Sequence, residues 1–511
     1  MYASRRMTPN RATGGNFTAW AVIATAVLGI LAATSGRTAR PTVVAPLVWQ
    51  ACRIEHPYQI AAYQAECTRI RVQENRRLPT GRTIELFVAR VSAIGRRKAS
   101  DPLFLLAGGP GMDASSMYAS TAAVFARIGR ERDIVLVDQR GTGRSHPLIC
   151  APEPKEPIGL TTLQKAVAAA RSCHDALAKD ADLTQYTTSS AVQDLDAVRA
   201  ALGYGRINLY GSSYGTRVAQ HYTRLFPQHV RSVILDGVVS PDTVLGPEMA
   251  LDAEAALERI FKRCAADASC RKAFGDPRAH YRAVRARVAV AAVNVMLSDP
   301  RSGKPRTLQF GHDELASVLR LQSYNAQQAA LLPLALYQAA VENNFAPLAA
   351  QALMTEDALD NAIASGMHNS VVCAEDIPFV DSAKVNSAAI AATYIGTVQL
   401  DGLRAVCADW PHGAVDSNLR TLLSSDIPML LLSGSDDPVT PPQYASRAAT
   451  HLTNSRHIVV PGMGHGQLAL PCMDRVMAAF IRDAAPRTLD TNCLQAVRPA
   501  PFFISAAGPA P

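Results

Sequence analysis

The stretch Gly211-Ser212-Ser213-Tyr214-Gly215 sets a serine hydroxyl between two glycines. That spacing suits a nucleophile held in a sharp turn, because glycines two residues to either side let the backbone pass without a β-carbon clash. A serine attacks a carbonyl only when an imidazole takes its proton, and the imidazole needs a carboxylate to hold its tautomer and stabilise its charged form. Both lie downstream. Gly434-Ser435-Asp436-Asp437-Pro438 carries a carboxylate pair, and Pro461-Gly462-Met463-Gly464-His465-Gly466 carries an imidazole flanked by glycines. Ser213, Asp437 and His465 are the candidate catalytic residues. Asp437 is preferred to Asp436 because Pro438 fixes the turn directly after it. Acyl transfer also needs donors aimed at the developing oxyanion. Tyr214 N–H, just after the serine, and Gly109, within Ala107-Gly108-Gly109-Pro110-Gly111, are the candidates.

These residues need elements to position them. Short apolar runs end in turns at Leu103 to Leu106, Ile134 to Val137, Ile207 to Tyr210 and Val233 to Leu235, with an earlier alternating strand at Thr83 to Val91. Such runs, alternating with helical stretches, predict a mostly parallel sheet with helices on both faces. From residue 245 to 425 the chain turns Ala- and Leu-rich with helical spacing, and strand signals resume at Met429 to Leu432 and Ile458 to Val460. The expected fold class is therefore α/β, an α/β-hydrolase fold with a large, mainly helical cap inserted before the last strands, and the order Ser, Asp, His agrees with it. The expected organisation is a signal peptide or N-terminal anchor over 1–39, first core part 40–244, cap 245–425, second core part 426–497 and a flexible tail 498–511.

The 511 residues are 48% hydrophobic and 18% charged, the composition of a globular protein. A formal charge of +8 suggests a polyanion partner, but four arginines and no acid fall within Met1 to Ala39, so half of it sits there. That stretch has a basic start, an apolar run from Phe17 to Ala33 and small residues after it, the layout of a secretory signal, with a retained membrane tether as the other reading. Either places the body outside the cytoplasm, secreted or periplasmic, and leaves no case for nucleic acid. The ten cysteines agree: Cys52, Cys67, Cys150, Cys173, Cys264, Cys270, Cys373, Cys407, Cys472 and Cys493 fall into neighbours, suggesting five short-range disulfides in that order. With no CxxC or HExxH, neither a structural zinc site nor a zincin is expected, and the triad chemistry requires no metal or organic cofactor.

Taken together, Gly108-Gly109-Pro110-Gly111, Asp138-Gln139-Arg140-Gly141-Thr142-Gly143-Arg144-Ser145, Gly211-Ser212-Ser213-Tyr214-Gly215-Thr216, Asp437-Pro438-Val439-Thr440-Pro441-Pro442 and Gly464-His465-Gly466 resemble the secreted tripeptidyl aminopeptidases and their proline iminopeptidase relatives, from about Trp49 to Cys493. Ala107 departs from the histidine that proline iminopeptidases typically carry before the glycines. The resemblance implies a TAP-like C-terminal segment, Asp138 and Arg140 bracing the loop near the site, and a serine exopeptidase acting on peptides with a free N-terminus. Such an enzyme needs an anion for the substrate ammonium; Glu375, with Asp376 beside it, is the candidate, held by a Cys373 to Cys407 bridge. The rival activity is a carboxylesterase or lipase of small esters, since one triad serves any acyl transfer. A non-catalytic binding module is the remote alternative.

Overall fold

The computed structural model describes residues 47–150 and 162–510, apart from the side chains at 162 and 356–361. The expected signal or anchor at 1–39 lies outside the described residues. Among those described, no helix is long and apolar enough to cross a membrane.

Nine strands form one sheet: β1 (Gln50–Glu55), β2 (Ala62–Gln73), β3 (Thr83–Val91), β4 (Leu103–Leu106), β5 (Ile134–Val137), β6 (Ile207–Ser212), β7 (Val230–Asp236), and, far along the chain, Met429–Gly434 and Ser455–Val460. Two strands between them, β8 (Val293–Ser298) and β9 (Pro305–Phe310), pair only with each other, so the last two of the main sheet are β10 and β11. The spatial order is β1-β2-β3-β5-β4-β6-β7-β10-β11. From β5 to β11 every pairing is parallel, while β1 to β3, and β3 with β5, are antiparallel.

The physical cause is visible in the side chains. Leu-Phe-Leu-Leu of β4 and Ile-Val-Leu-Val of β5 are buried at every position, which requires cover on both faces. Helix α1 (Ala114–Phe125) covers one face with the late helix Met473–Asp483, burying Phe125, Tyr210 and Phe480. Helices α2 (Thr162–Leu177), α3 (Thr188–Ala201) and α4 (Tyr214–Leu225) cover the other, over Phe104, Leu209 and Val218. Strands β1 and β2 escape the sequence reading because β2 mixes Arg, Glu and Gln with its apolar residues and is buried at alternating positions only.

Between β7 and β10 the chain forms ten helices among the described elements, from α5 (Met249–Ala266) to Val398–Cys407, together with the β8–β9 hairpin. This insertion has its own core, including Leu257, Phe261, Phe310 and Leu336. The expected flexible tail is a correction. Residues 498–510 carry β12 (Phe503–Ser505) and β13 (Gly508–Pro509), Phe502 is 5% exposed, and Phe503 N–H donates to Ala330 O at 3.2 Å. Arg263 lies over the Phe502 ring, so Phe502 and Phe503 anchor an otherwise Pro- and Ala-rich end against the cap.

Five disulfides join Cys52 to Cys67, Cys150 to Cys173, Cys264 to Cys270, Cys373 to Cys407 and Cys472 to Cys493.

Candidate active site

Ser213 joins β6 to α4 at φ +54°, a left-handed conformation that costs a non-glycine residue energy and is retained where the surroundings over-determine it. Its amide donates to Asp236 O at 2.9 Å, and its carbonyl accepts from Thr216 Oγ1 at 2.7 Å. Both flanking glycines are required by contact. A β-carbon on Gly211 would collide with Gly215 O, and one on Gly215 with Leu106 O.

Asp437 lies in the turn that follows β10 and is fully buried. Its Oδ1 accepts from Val439 N–H at 2.8 Å and Thr440 N–H at 2.9 Å, and its Oδ2 accepts from Thr440 Oγ1 at 2.9 Å. His465 Nδ1 lies 2.9 Å from the same Oδ2, so Nδ1 carries the proton and Nε2 is left to act as a base. Burial pushes the Asp437 carboxyl up, but the charge and hydrogen bond of His465 and the two amides outweigh it and hold it below the usual range. Burial likewise pushes His465 down, yet the Asp437 charge and hydrogen bond, with a contribution from Asp236, leave it raised. Asp436 turns away, to Arg263 and Arg259 of the cap.

The cap also reaches into the site. Tyr324 O accepts the His465 amide at 2.8 Å, and the Tyr324 ring meets the imidazole edge-on at 5.1 Å between centroids. Gly464 allows this approach, since a β-carbon there would strike Tyr324 O. Asp236 ties the two catalytic turns together from below. Its carbonyl holds Ser213 N–H, and its Oδ1 accepts Gln467 N–H at 2.7 Å, two residues past His465. Its Oδ2 accepts from Tyr210 Oη at 2.8 Å. Burial pushes this carboxyl up to about 6.

The loop carrying Gly109 lies against the elbow, with Gly108 so close that a β-carbon on it would sit 3.1 Å from Ser213 Cβ. Gly109 takes φ +104° before a cis peptide to Pro110. Gly109, Ser213 and Tyr214 line one cavity, with Met249, Asp376 and Tyr444 on its other walls. Asp138 and Arg140 sit where they stiffen this region. Asp138 accepts from Ser115 N–H and Oγ at the start of α1, next to the glycine loop, and from Arg144 N–H. Arg140, fully buried, grips Asp194 with Nε at 2.6 Å and Nη2 at 2.8 Å, the fork geometry of guanidinium on carboxylate.

Glu375 is a correction. Its carboxylate is fully buried and engaged by Thr188 N–H at 2.5 Å and Thr188 Oγ1 at 2.7 Å; burial pushes it up to about 7. It is a structural acid under the elbow, linked through Thr188 to the Tyr214 hydroxyl at 2.7 Å, and is not exposed to an incoming ammonium. Asp376 does line the cavity, but both its oxygens are bound by Arg217, at 2.8 and 3.0 Å, which neutralises it. Two further carboxylates lie at the edge of the cavity, on Tyr444. Glu248 Oε2 and Asp252 Oδ2, one turn apart at the start of the cap, meet Tyr444 Oη at 2.8 and 2.5 Å. Burial, then the Glu248 charge, push Asp252 up to about 6. The Glu-x-x-x-Asp spacing over 248–252 was the available signal in the sequence, hidden in an acidic helix start that reads as ordinary capping.

Fold and site together define a serine α/β-hydrolase. Residues 101–269 match the model described as alpha/beta hydrolase fold, and residues 392–493 the model described as TAP-like protein. The chain has the α/β-hydrolase fold, and its C-terminal part is similar to the TAP-like proteins that its motifs resemble. It is 27% identical over 500 residues to serine protease Hip1 of Mycobacterium tuberculosis, covering 91% of this chain and 94% of that one. It is 31% identical over 194 residues to tripeptidyl aminopeptidase of Streptomyces coelicolor, 34% of this chain and 35% of the other. A protein named carboxylesterase B, also from M. tuberculosis, is 28% identical over 488 residues, 89% and 91% of the two chains.

Proposed function

We propose that the protein is a secreted serine aminopeptidase that releases residues or short peptides from free N-termini. The observation that carries this reading is the wall of acids beside the nucleophile's cavity: Glu248 and Asp252 converge on the hydroxyl of Tyr444, and Tyr444 lines the cavity. A substrate ammonium at that wall relieves the repulsion between the two acids and places the chain's N-terminal end at a set distance from Ser213. Ser213 Oγ attacks the carbonyl while His465 Nε2 accepts its proton, and Tyr214 N–H and the Gly109 loop receive the oxyanion. The protonated imidazole, held by Asp437, gives its proton to the leaving amine. Water, deprotonated by the same histidine, then releases the acyl product. Five disulfides support an oxidising compartment.

The esterase reading rests on the apolar share of the same cavity, Val239, Val244, Leu245 and Val439, and on the relative named carboxylesterase B. One substrate series separates them: free-amine mono-, di- and tripeptidyl chromogenic amides, their N-blocked forms and a short acyl ester, with Ser213→Ala as control. Turnover of free-amine peptides that blocking abolishes supports the aminopeptidase, and the preferred length gives its class. In Glu248→Gln/Asp252→Asn, KM for free-amine peptides should rise at least tenfold with ester KM unchanged. Ester turnover with no amide turnover establishes the esterase.

A further inference from the structure

The catalytic turns lie at the carboxyl ends of the parallel strands. The opposite pole, where the strands begin, has a different character. The segments entering four neighbouring strands carry cations: Arg96 and Arg97 before β4, Arg130 before β5, Arg206 before β6, Arg231 at the start of β7. The first of these segments lies along the one before β5, with Ile94, Gly95 and Ala99 amides donating to Gly129, Arg130 and Glu131 carbonyls. Arg231 bridges to the end of the late helix through the Ile481 and Arg482 carbonyls. A shallow groove runs between that helix and the Arg127–Arg132 segment, with Arg130 and Arg475 along it and Glu131, paired with Arg132, as its acid.

Part of this charge is balanced locally. Arg127 pairs with Asp474, Arg132 with Asp101, Lys98 with Asp133 and Arg482 with Asp483. Arg96, Arg97, Arg130, Arg206 and Arg475 are exposed and have no carboxylate within pairing distance among the described residues. Five unbalanced guanidinium groups on one pole are more than folding requires, since their mutual repulsion opposes it. Beside them Ile94, 81% exposed, precedes Gly95-Arg96-Arg97-Lys98, an apolar side chain at the edge of a basic cluster.

We infer that this pole docks the enzyme on an anionic lipid bilayer, the arginines meeting phosphate headgroups and Ile94 entering the interface, with the active site facing away from the surface. Charge complementarity selects an anionic partner. The exposed Ile94 within the basic rim selects a bilayer over a soluble polyanion, because only a bilayer offers an apolar layer beneath its charges.

The test is sedimentation of the full chain with vesicles of phosphatidylcholine alone or with one third phosphatidylglycerol, at 0.05 and 0.5 M NaCl. Three proteins are compared: the parent, Arg130→Glu/Arg475→Glu, and Lys272→Glu/Arg282→Glu, which reverses two exposed charges on the cap. Any contribution of the apolar run Phe17 to Ala33 is common to all three. The expected result is binding at least tenfold tighter to the anionic vesicles, lost at high salt, lost in the groove variant and retained in the cap variant, with circular dichroism and ester turnover unchanged. Equal affinity for both vesicles, equal loss in both variants, or retention of inorganic polyphosphate without vesicle binding overturns the inference. Replacing Ile94 with Ser should weaken vesicle binding and leave polyphosphate binding alone; no effect on vesicles also overturns it.

Discussion

The backbone carbonyl of Asp236 accepts the amide of Ser213 at 2.9 Å, while the carboxylate of the same residue accepts the Gln467 amide at 2.7 Å. One buried residue at the end of β7 thus holds the nucleophile's turn and the histidine's loop in register. Gly237, next along, lies against the imidazole, where a β-carbon would sit 2.9 Å from its Cε1.

From this follows a split in kinetic behaviour for Asp236→Asn. The backbone contact to Ser213 survives, so the acyl-enzyme still forms, but a charge that favours the imidazolium is removed. The expected result is a loss of about tenfold in kcat, the order of a weakened charge-assisted contact, with the acidic limb of kcat/KM moved to lower pH. A variant that loses activity with its pH profile unmoved would show Asp236 to be structural only.

Because Asp437 raises His465, the imidazole stays protonated to higher pH than a free histidine and cannot then act as a base. Activity of the parent should fall on the acid side through a limb lying above the ordinary histidine value of about 6.5. In Asp437→Asn both the charge and the correct tautomer are lost, and kcat should drop by about 10⁴. A pH series of kcat/KM on both proteins checks this.

Glu375 gives a stability prediction of opposite sign to the common carboxylate case. Burial raises it to about 7 in the fold, against about 4.3 in an unfolded chain, so the fold binds its proton more tightly. Its contribution is present in full below the unfolded value and is lost as pH rises through 7. Relative to Glu375→Gln, the parent should lose up to about 3 kcal/mol between pH 4.5 and 8. Tm of the two proteins against pH should converge at the acid end and separate at the alkaline end, the variant flatter.

The Cys373 to Cys407 bridge closes 34 residues and ties the helix Ser365–Glu375, which ends on the acids beneath the elbow, to Val398–Cys407. Replacing both cysteines with serine should cost about 3–4 kcal/mol, read as a lower urea midpoint. KM for peptides should rise because Asp376 and Arg217 share the cavity wall with this helix end.

The nucleophile, base and acid were legible because each is marked by its own neighbours. Glycines flank Ser213 and His465, and Pro438 follows Asp437, since a strained turn tolerates few residue types. The parallel strands were legible because burial on both faces forces unbroken apolar runs, as in β4, β5 and β10. What no local pattern marks is which distant residues meet. Glu375 reads as an acid on a cap helix, yet Thr188, 187 positions away, encloses it. Glu248 and Asp252 read as a helix start, yet Tyr444, from beyond the cap, gathers both on its hydroxyl at the edge of the cavity. Tyr324 has no motif, and its carbonyl seats His465. The chemistry was therefore determined by short-range sequence, because a turn's geometry restricts the residues within it. The recognition surface was decided only by tertiary packing, because a carboxylate's availability depends on partners that the chain brings from far away.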